Sequence, residues 1–260
     1  MPHPALRQLD HRPWPLPRGP WTWRQSWRDL LFAHWPMDAA VLRPLVPPEL
    51  EIEEFDGTSW VGVVPFRMAG VMHRPLPDLP RISAFPELNL RLYVSAEGRP
   101  GVWFLSLDAT NPLAVWAARR FFHLPYVRAD IDFTAERDGV AYRSVRRGEP
   151  AGLTFEATYR PTSEPYLASP GSLEHWLTER YCLYAQAPGG EILRAEVHHG
   201  PWPLQGATAS IRPDELLAPH CLGVEGPPAL LHFSRRIDVV MWSPRPVGGS
   251  TAGRGGAVAQ

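Results

Sequence analysis

Glu87, Asn89, Arg91 and Tyr93 take every second position of residues 87–94, and the positions between them are all aliphatic. Successive side chains of a strand point to opposite faces, so this alternation gathers a carboxylate, an amide, a guanidinium and a phenol on one face. Residues 126–133 alternate in the same way, with Tyr126, Arg128, Asp130 and Asp132 on one side and Val127, Ala129, Ile131 and Phe133 on the other. Together these groups have acid–base chemistry within reach. A carboxylate serves as a base, an arginine offers a fork to an anionic group, a phenol donates, and His123 carries protons near neutral pH. A polar strand face is also what a half-solvated antiparallel sheet presents. The chemical reading requires the polar faces to line an enclosed lumen instead.

Several other chemistries are disfavoured by what the chain lacks. All 26 basic side chains are arginine, which removes Schiff-base catalysis, a pyridoxal-phosphate linkage and a P-loop ammonium. No Gly-x-Gly-x-x-Gly follows a strand and opens a helix, and no Gly-x-Ser-x-Gly elbow occurs. His198 and His199 are adjacent and would face opposite ways on a strand, while His220, Cys221 and His232 lack zinc spacing. No metal and no cofactor is therefore expected. The formal net charge of −1 and the scattered arginines argue against a nucleic-acid partner.

The elements that must position these groups are short, because 31 prolines and 21 glycines exclude long helices and interrupt strands. β-branched and aromatic runs bounded by turn residues predict strands at 60–67, 88–94, 102–107, 127–133, 140–145, 153–159, 191–198, 207–212, 229–234 and 237–242. Asp38 is expected to cap a helix over 39–45, Asn111 with Pro112 to open one over 113–122, and Ser172 to open a segment through 181. A short turn follows at 214–217. Eleven tryptophans, with a knot at Trp14, Trp21, Trp23, Trp27 and Trp35, are read first as packing and second as a ligand cage.

One domain is expected over 21–245, with an extended arm over 1–20 and a flexible tail over 246–260. The two cysteines, Cys182 and Cys221, are too few for a disulfide framework and read as buried free thiols. The first 20 residues have no apolar segment of the secretory kind, and no apolar run approaches the roughly 20 residues of a membrane span. A cytoplasmic protein with no membrane partner is the expectation.

Three runs carry a resemblance. They are Phe85-Pro86-Glu87-Leu88-Asn89-Leu90-Arg91-Leu92-Tyr93-Val94, Gly101-Val102-Trp103-Phe104-Leu105-Ser106-Leu107-Asp108 and Ala118-Arg119-Arg120-Phe121-Phe122-His123-Leu124-Pro125-Tyr126. With His34-Trp35-Pro36, Leu45-Val46-Pro47 and residues 55–62, they resemble the YqjF-like family, a bacterial domain of unknown function, over roughly residues 25–243. The resemblance implies a fold similar to acetoacetate decarboxylase. That fold is α+β and β-rich, a curved, cone-like antiparallel β-barrel with a ligand cavity and a few short helices.

The decarboxylase pattern carries Gly-Arg-Glu and, a few residues later, Pro-Lys-Lys, whose first lysine forms the Schiff base. Laid on this chain, the pattern sets Ala118-Arg119-Arg120 against the first motif and Pro125-Tyr126-Val127 against the second. Tyr126 stands in the place of the nucleophilic amine and Val127 in that of its electrostatic helper. Arg119 keeps the arginine, Arg120 reverses the charge of the glutamate, and Glu87 falls where the decarboxylase has a cavity carboxylate. Schiff-base decarboxylation is not inherited.

Under the resembled fold, Glu87, His123 and Tyr126 are the expected catalytic groups, and Arg91, Arg119, Trp103 and Trp116 the expected substrate-binding ones. Two readings stay open. One is a lysine-independent lyase or isomerase acting through an enolate of a small carboxylate or carbonyl compound. The other is a non-catalytic protein that binds or senses such a ligand. A third reading makes the chain a homo-oligomer building block with the Trp-rich N-terminal segment as its interface.

Overall fold

The structure is a computed structural model that describes residues 3–75, 83–136, 138–148 and 151–248. Its strands are β1 (Trp23–Met37), β2 (Glu51–Ile52), β3 (Ser59–His73), β4 (Phe85–Ala96), β5 (Arg99–Ala109), β6 (Tyr126–Glu136) and β7 (Gly139–Arg146). They continue with β8 (Thr154–Pro161), β9 (Cys182–Gln186), β10 (Ile192–His199), β11 (Gln205–Arg212), β12 (Leu230–Met241) and β13 (Arg245–Pro246). Four short α-helices accompany them among the described residues: α1 (Ala39–Leu42), α2 (Pro112–Phe122), α3 (Leu173–Thr178) and α4 (Asp214–Leu217).

Local chemistry sets the helix starts. The Asp38 carboxylate accepts from the Ala40 amide at 2.8 Å, the Asn111 side chain accepts from Leu113 and Ala114, and the Ser172 hydroxyl accepts from His175. Each satisfies an amide that the first helical turn leaves without a carbonyl. Helix α2 stops at His123, whose backbone is left-handed at φ 53°.

All strands among the described residues belong to one hydrogen-bonded sheet, and the pairings return on themselves. The order runs β13-β10-β9-β5-β6-β7-β8-β11-β12-β1-β3-β4-β2, and two further pairings, β4 with β5 and β10 with β12, close circuits. Most neighbours are antiparallel, but β5 pairs in parallel with both β6 and β9. A parallel neighbour needs a crossover. Helix α2 supplies it between β5 and β6.

Strand β4 separates two apolar layers. Leu88, Leu90, Leu92 and Val94 pack with Tyr142, Phe155 and Tyr159 of β7 and β8. Tyr93, on the other face, packs with Phe32, Phe66, Phe104 and Leu107. Both faces of β4 are buried, so its polar side chains do not form a solvated surface.

The sequence missed two long features. Strand β1 escapes a two-residue periodicity because of a bulge at Asp29, whose φ is 49°. Before it Trp23 and Trp27 pack on the inner layer, and after it Leu30 and Phe32 do, so the parity flips by one residue. Strand β12, read as two strands, runs unbroken through the exposed Arg235 and Arg236 because β1 pairs with it on both sides of them. The short β9 was also not anticipated.

At the N-terminal end, Ala5 packs with Val240 and Trp242. Buried Arg12 forms an ion pair with Glu196 and donates to the Val197 carbonyl. At the start of the stretch expected as a tail, Pro246 pairs with Leu193 of β10, and residues 249–260 lie outside the described residues. One cysteine reading is corrected. Cys182 is a buried free thiol, but Cys221 is exposed, held in a left-handed turn at the end of a 3-10 segment. No helix among the described residues is long and apolar enough to cross a membrane.

Candidate functional site

The inner face of β4 borders a cavity of about 150 Å³, and Glu87, Asn89 and Arg91 stand in its wall. Trp23, Gln25, Trp27 and Leu30 of β1 line a second side, and Val102, Phe104 and Leu107 of β5 a third. Helix α2 closes over it with Ala114, Ala117, Ala118 and Phe122, residues that its 3.6-residue period brings to one stripe. Val64, Phe66, Met68 and Val71 of β3 also line it, as do Thr178, Arg180, Val197, His199 and Trp202.

Tyr126 enters this wall as the first residue of β6. Leu107 pairs with Tyr126 in the parallel register of β5 and β6. Strand β6 stays paired with β5 through Arg128 and then pairs with β7, and Arg128, Asp130 and Asp132 are exposed. The polar face read from 126–133 thus divides, one residue inward and the rest to solvent.

The Tyr126 hydroxyl donates to Glu87 Oε2 at 2.7 Å. Glu87 is 1% exposed. Burial pushes its carboxyl up to about 8, against the lowering effect of the Tyr126 hydrogen bond and with Asp108 adding to the rise. Burial, and then the neighbouring Glu87 charge, holds the Tyr126 phenol well above its ordinary value. The pair is a carboxyl poised to exchange a proton near neutral pH beside a phenol that keeps its own.

Further along β4, the Arg91 guanidinium donates to the Tyr93 hydroxyl through Nε at 3.2 Å and Nη2 at 3.0 Å, and to the Leu177 carbonyl at 3.3 Å. It lies over the Phe32 ring. Arg180, just past α3, forms an ion pair with Glu53 and donates to the Trp176 carbonyl at 2.7 Å. The imidazole of His199 is held neutral, its pKa lowered chiefly by burial.

Four of the expected site residues lie outside the cavity wall. Trp103 faces away because Val102 and Phe104 face in, and its indole donates to the Leu45 carbonyl at 3.1 Å. Trp116 is 56% exposed on the outer side of α2, edge-on to Phe121. His123 is past the helix end, half-buried. Arg119 touches the site only through backbone, its Nε donating to the Tyr126 carbonyl at 2.6 Å, which helps to fix where Tyr126 enters.

Arg180, His199 and Trp202 were not anticipated. Trp23 and Trp27, which line the wall, belong to the tryptophan knot read first as packing and second as a ligand cage. Among the described residues, no cluster of three or more His, Cys, Asp or Glu side chains could hold a metal ion.

Residues 24–238 match the model of the DUF2071 family, an uncharacterized conserved protein. The chain is 43% identical over 230 residues to the uncharacterized protein YqjF of Bacillus subtilis (strain 168), covering 88% of this chain and 94% of that one. Among solved structures it is similar to acetoacetate decarboxylase from Legionella pneumophila, with a TM-score of 0.57, 15% identity, and 91% and 93% of the two chains covered. It is also similar to the enduracididine biosynthesis enzyme MppR complexed with pyruvate, with a TM-score of 0.61, 14% identity, and coverage of 88% and 91%. At such identities the likeness to the solved structures is one of fold. The chain belongs to the DUF2071 family, with YqjF as a relative, and has a β-rich fold like that of acetoacetate decarboxylase.

Proposed function

We propose that the protein takes a small carboxylate or carbonyl compound into this cavity and moves a proton on it, as a lyase or isomerase that works through an enolate without a lysine. The carrying observation is the 2.7 Å hydrogen bond between Tyr126 and Glu87 in a buried wall, with the Glu87 carboxyl pushed up to about 8. Two closed circuits of strand pairing support reading the wall as a barrel around the ligand. The similarity to MppR complexed with pyruvate favours a keto acid as the substrate class.

In the proposed step, ionised Glu87 removes the proton α to the carbonyl. The C–H bond breaks, its electron pair moves to the carbonyl oxygen, and the proton goes to a Glu87 oxygen. Tyr126, whose hydrogen bond weakens once Glu87 is protonated, then turns its hydroxyl to the enolate oxygen. No amine takes part.

Small keto acids incubated with the protein in D2O, followed by proton NMR, test this. Exchange of the α-hydrogens is expected, with loss on Glu87→Gln and a large drop on Tyr126→Phe. Exchange that survives both substitutions would overturn the reading. A second reading, a non-catalytic binding protein, is favoured by the mostly apolar lining. Thermal stabilisation by a keto acid that is neither exchanged nor consumed would decide for it.

A further inference from the structure

We infer that the Arg91 end of the cavity is an oxyanion subsite, in which a carboxylate on a small apolar body serves as the counter-charge to Arg91 and Arg180 and accepts from the indoles of Trp27 and Trp202. It deepens the reading above and rests on it only in that the cavity holds a ligand.

The first observation is charge. Arg91 is 8% exposed and Arg180 7%, and both stand in the cavity wall. Glu53 pairs with Arg180. Arg91 makes no ion pair among the described residues, its contacts there being a phenol, a carbonyl and the Phe32 face. Nearby His34 and His199 are both held neutral by burial. Of the other carboxylates, Glu179 is engaged with the Trp202 amide and the Tyr181 hydroxyl, and Glu87, in the same cavity wall, accepts from Tyr126. Two guanidiniums thus share one paired carboxylate. A buried charge without a partner is costly, and an incoming anion removes that cost.

The second observation is independent of charge. The Trp27 Nε1, Trp202 Nε1 and Arg180 Nη2 donors are buried without an acceptor in the protein. All three belong to residues lining the same cavity. The two indoles stack at 5.8 Å, and Trp202 packs edge-on to Phe32, the ring under Arg91. Buried donors are ordinarily satisfied. Several orphaned together, beside an unpaired guanidinium, fit a group that only accepts hydrogen bonds.

The size of the space narrows the ligand. A cavity of about 150 Å³ is comparable to one that admits benzene. A carboxylate with a short aliphatic or single-ring body fills it, whereas a nucleotide or a fatty acyl chain does not.

Calorimetric titration with monocarboxylates from propanoate to benzoate, each beside its isosteric primary amide and beside inorganic phosphate, tests the subsite. The carboxylates that bind should exceed their amides by at least about tenfold, as hydrogen bonds to a charged partner do over neutral ones. Arg91→Met should abolish that preference while amide binding stays. Trp202→Phe, which keeps the ring and removes the N–H, should weaken the carboxylate about threefold to tenfold, as loss of one such bond does. If Arg91→Met does not fold, the amide comparison on the unmodified protein and the Trp202→Phe titration decide alone. Equal affinity for acid and amide, preference for phosphate, or no carboxylate binding up to millimolar concentration overturns the inference. Carboxylate binding without α-proton exchange leaves the subsite standing and removes the enolate chemistry; exchange indifferent to Arg91 does the reverse.

Discussion

Tyr126 and Glu87 meet across two strands that are not hydrogen-bonded to one another: β5 lies between them, and the phenol reaches past it to donate at 2.7 Å to Oε2. The contact therefore depends on the register of two ladders. On β5, Leu107 is opposite Asn89 on one side and Tyr126 on the other.

Glu87 should make the protein's stability fall with pH. Its carboxyl sits at about 8 in the fold, against an ordinary 4.5. Between those values the folded chain keeps a proton that the unfolded chain releases, so stability declines from about pH 4.5 to about pH 8 and levels off above. Glu87→Gln, which keeps the acceptor for Tyr126, should remove this slope. It should be the more stable form at pH 9, by on the order of a few kcal/mol. Urea denaturation of both proteins at pH 5, 7 and 9 checks the sign.

Tyr126→Phe removes the one contact that lowers the Glu87 value. The carboxyl should titrate at a higher pH than in the unsubstituted protein, and the lost hydrogen bond should cost about 1–3 kcal/mol. Carbon-13 NMR of the labelled glutamate carboxyls gives the first and thermal denaturation the second. A carboxyl that titrates lower would show that the two groups are not bonded as described.

Arg146 and Asp108 form a buried ion pair at 2.7 Å, with side chains 2% and 3% exposed, and Arg146 also donates to the Ser106 hydroxyl. Arg146→Ala leaves the Asp108 charge alone in the interior and should destabilise by about 3–5 kcal/mol. Asp108→Asn should in addition lower the Glu87 value, because the Asp108 charge contributes to its rise. Chemical denaturation and the carboxyl titration separate the two effects.

Gly101 has no room for a side chain. A Cβ there would stand 2.7 Å from Cys182 Sγ and 2.8 Å from both the Cys182 carbonyl oxygen and the Tyr184 ring, at the parallel junction of β5 and β9. Gly101→Ala should cost about 1–3 kcal/mol through overpacking, read as a lowered denaturation midpoint. An unchanged midpoint would mean that the two strands separate freely.

Trp116 gives the contrasting case. With its indole on the exterior of α2, Trp116→Ser should alter stability by no more than about 0.5 kcal/mol and leave carboxylate binding unchanged. Lost binding would restore the role its position in the sequence suggested.

Most strands other than β1 and β9, the capped helices and the inner triad of Glu87, Asn89 and Arg91 were legible because each rests on local chemistry: alternation, turn residues, an Asn-Pro start. Tyr126 came from a motif laid over the chain. The rest of the wall was not legible, for a physical reason. Trp27, Arg180 and the pair His199 and Trp202 come from three separate stretches, and closure of the sheet brings them to one space. Two bulges also hide the periodicity. The one at Asp29 shifts the inward face of β1, and a register shift at Leu90/Arg91 lets both Phe104 and Leu107 of β5 face in. Trp103, read for its ring, falls on the wrong side of that same strand.

Strand β4 is a party wall. The leucines at 88, 90 and 92 belong to the apolar layer under β7 and β8, yet they share a backbone with Glu87, Asn89 and Arg91. Displacing that backbone by a fraction of an ångström from behind moves the carboxyl and the guanidinium together. The geometry of the cavity wall is thus open to adjustment by residues that never border the cavity.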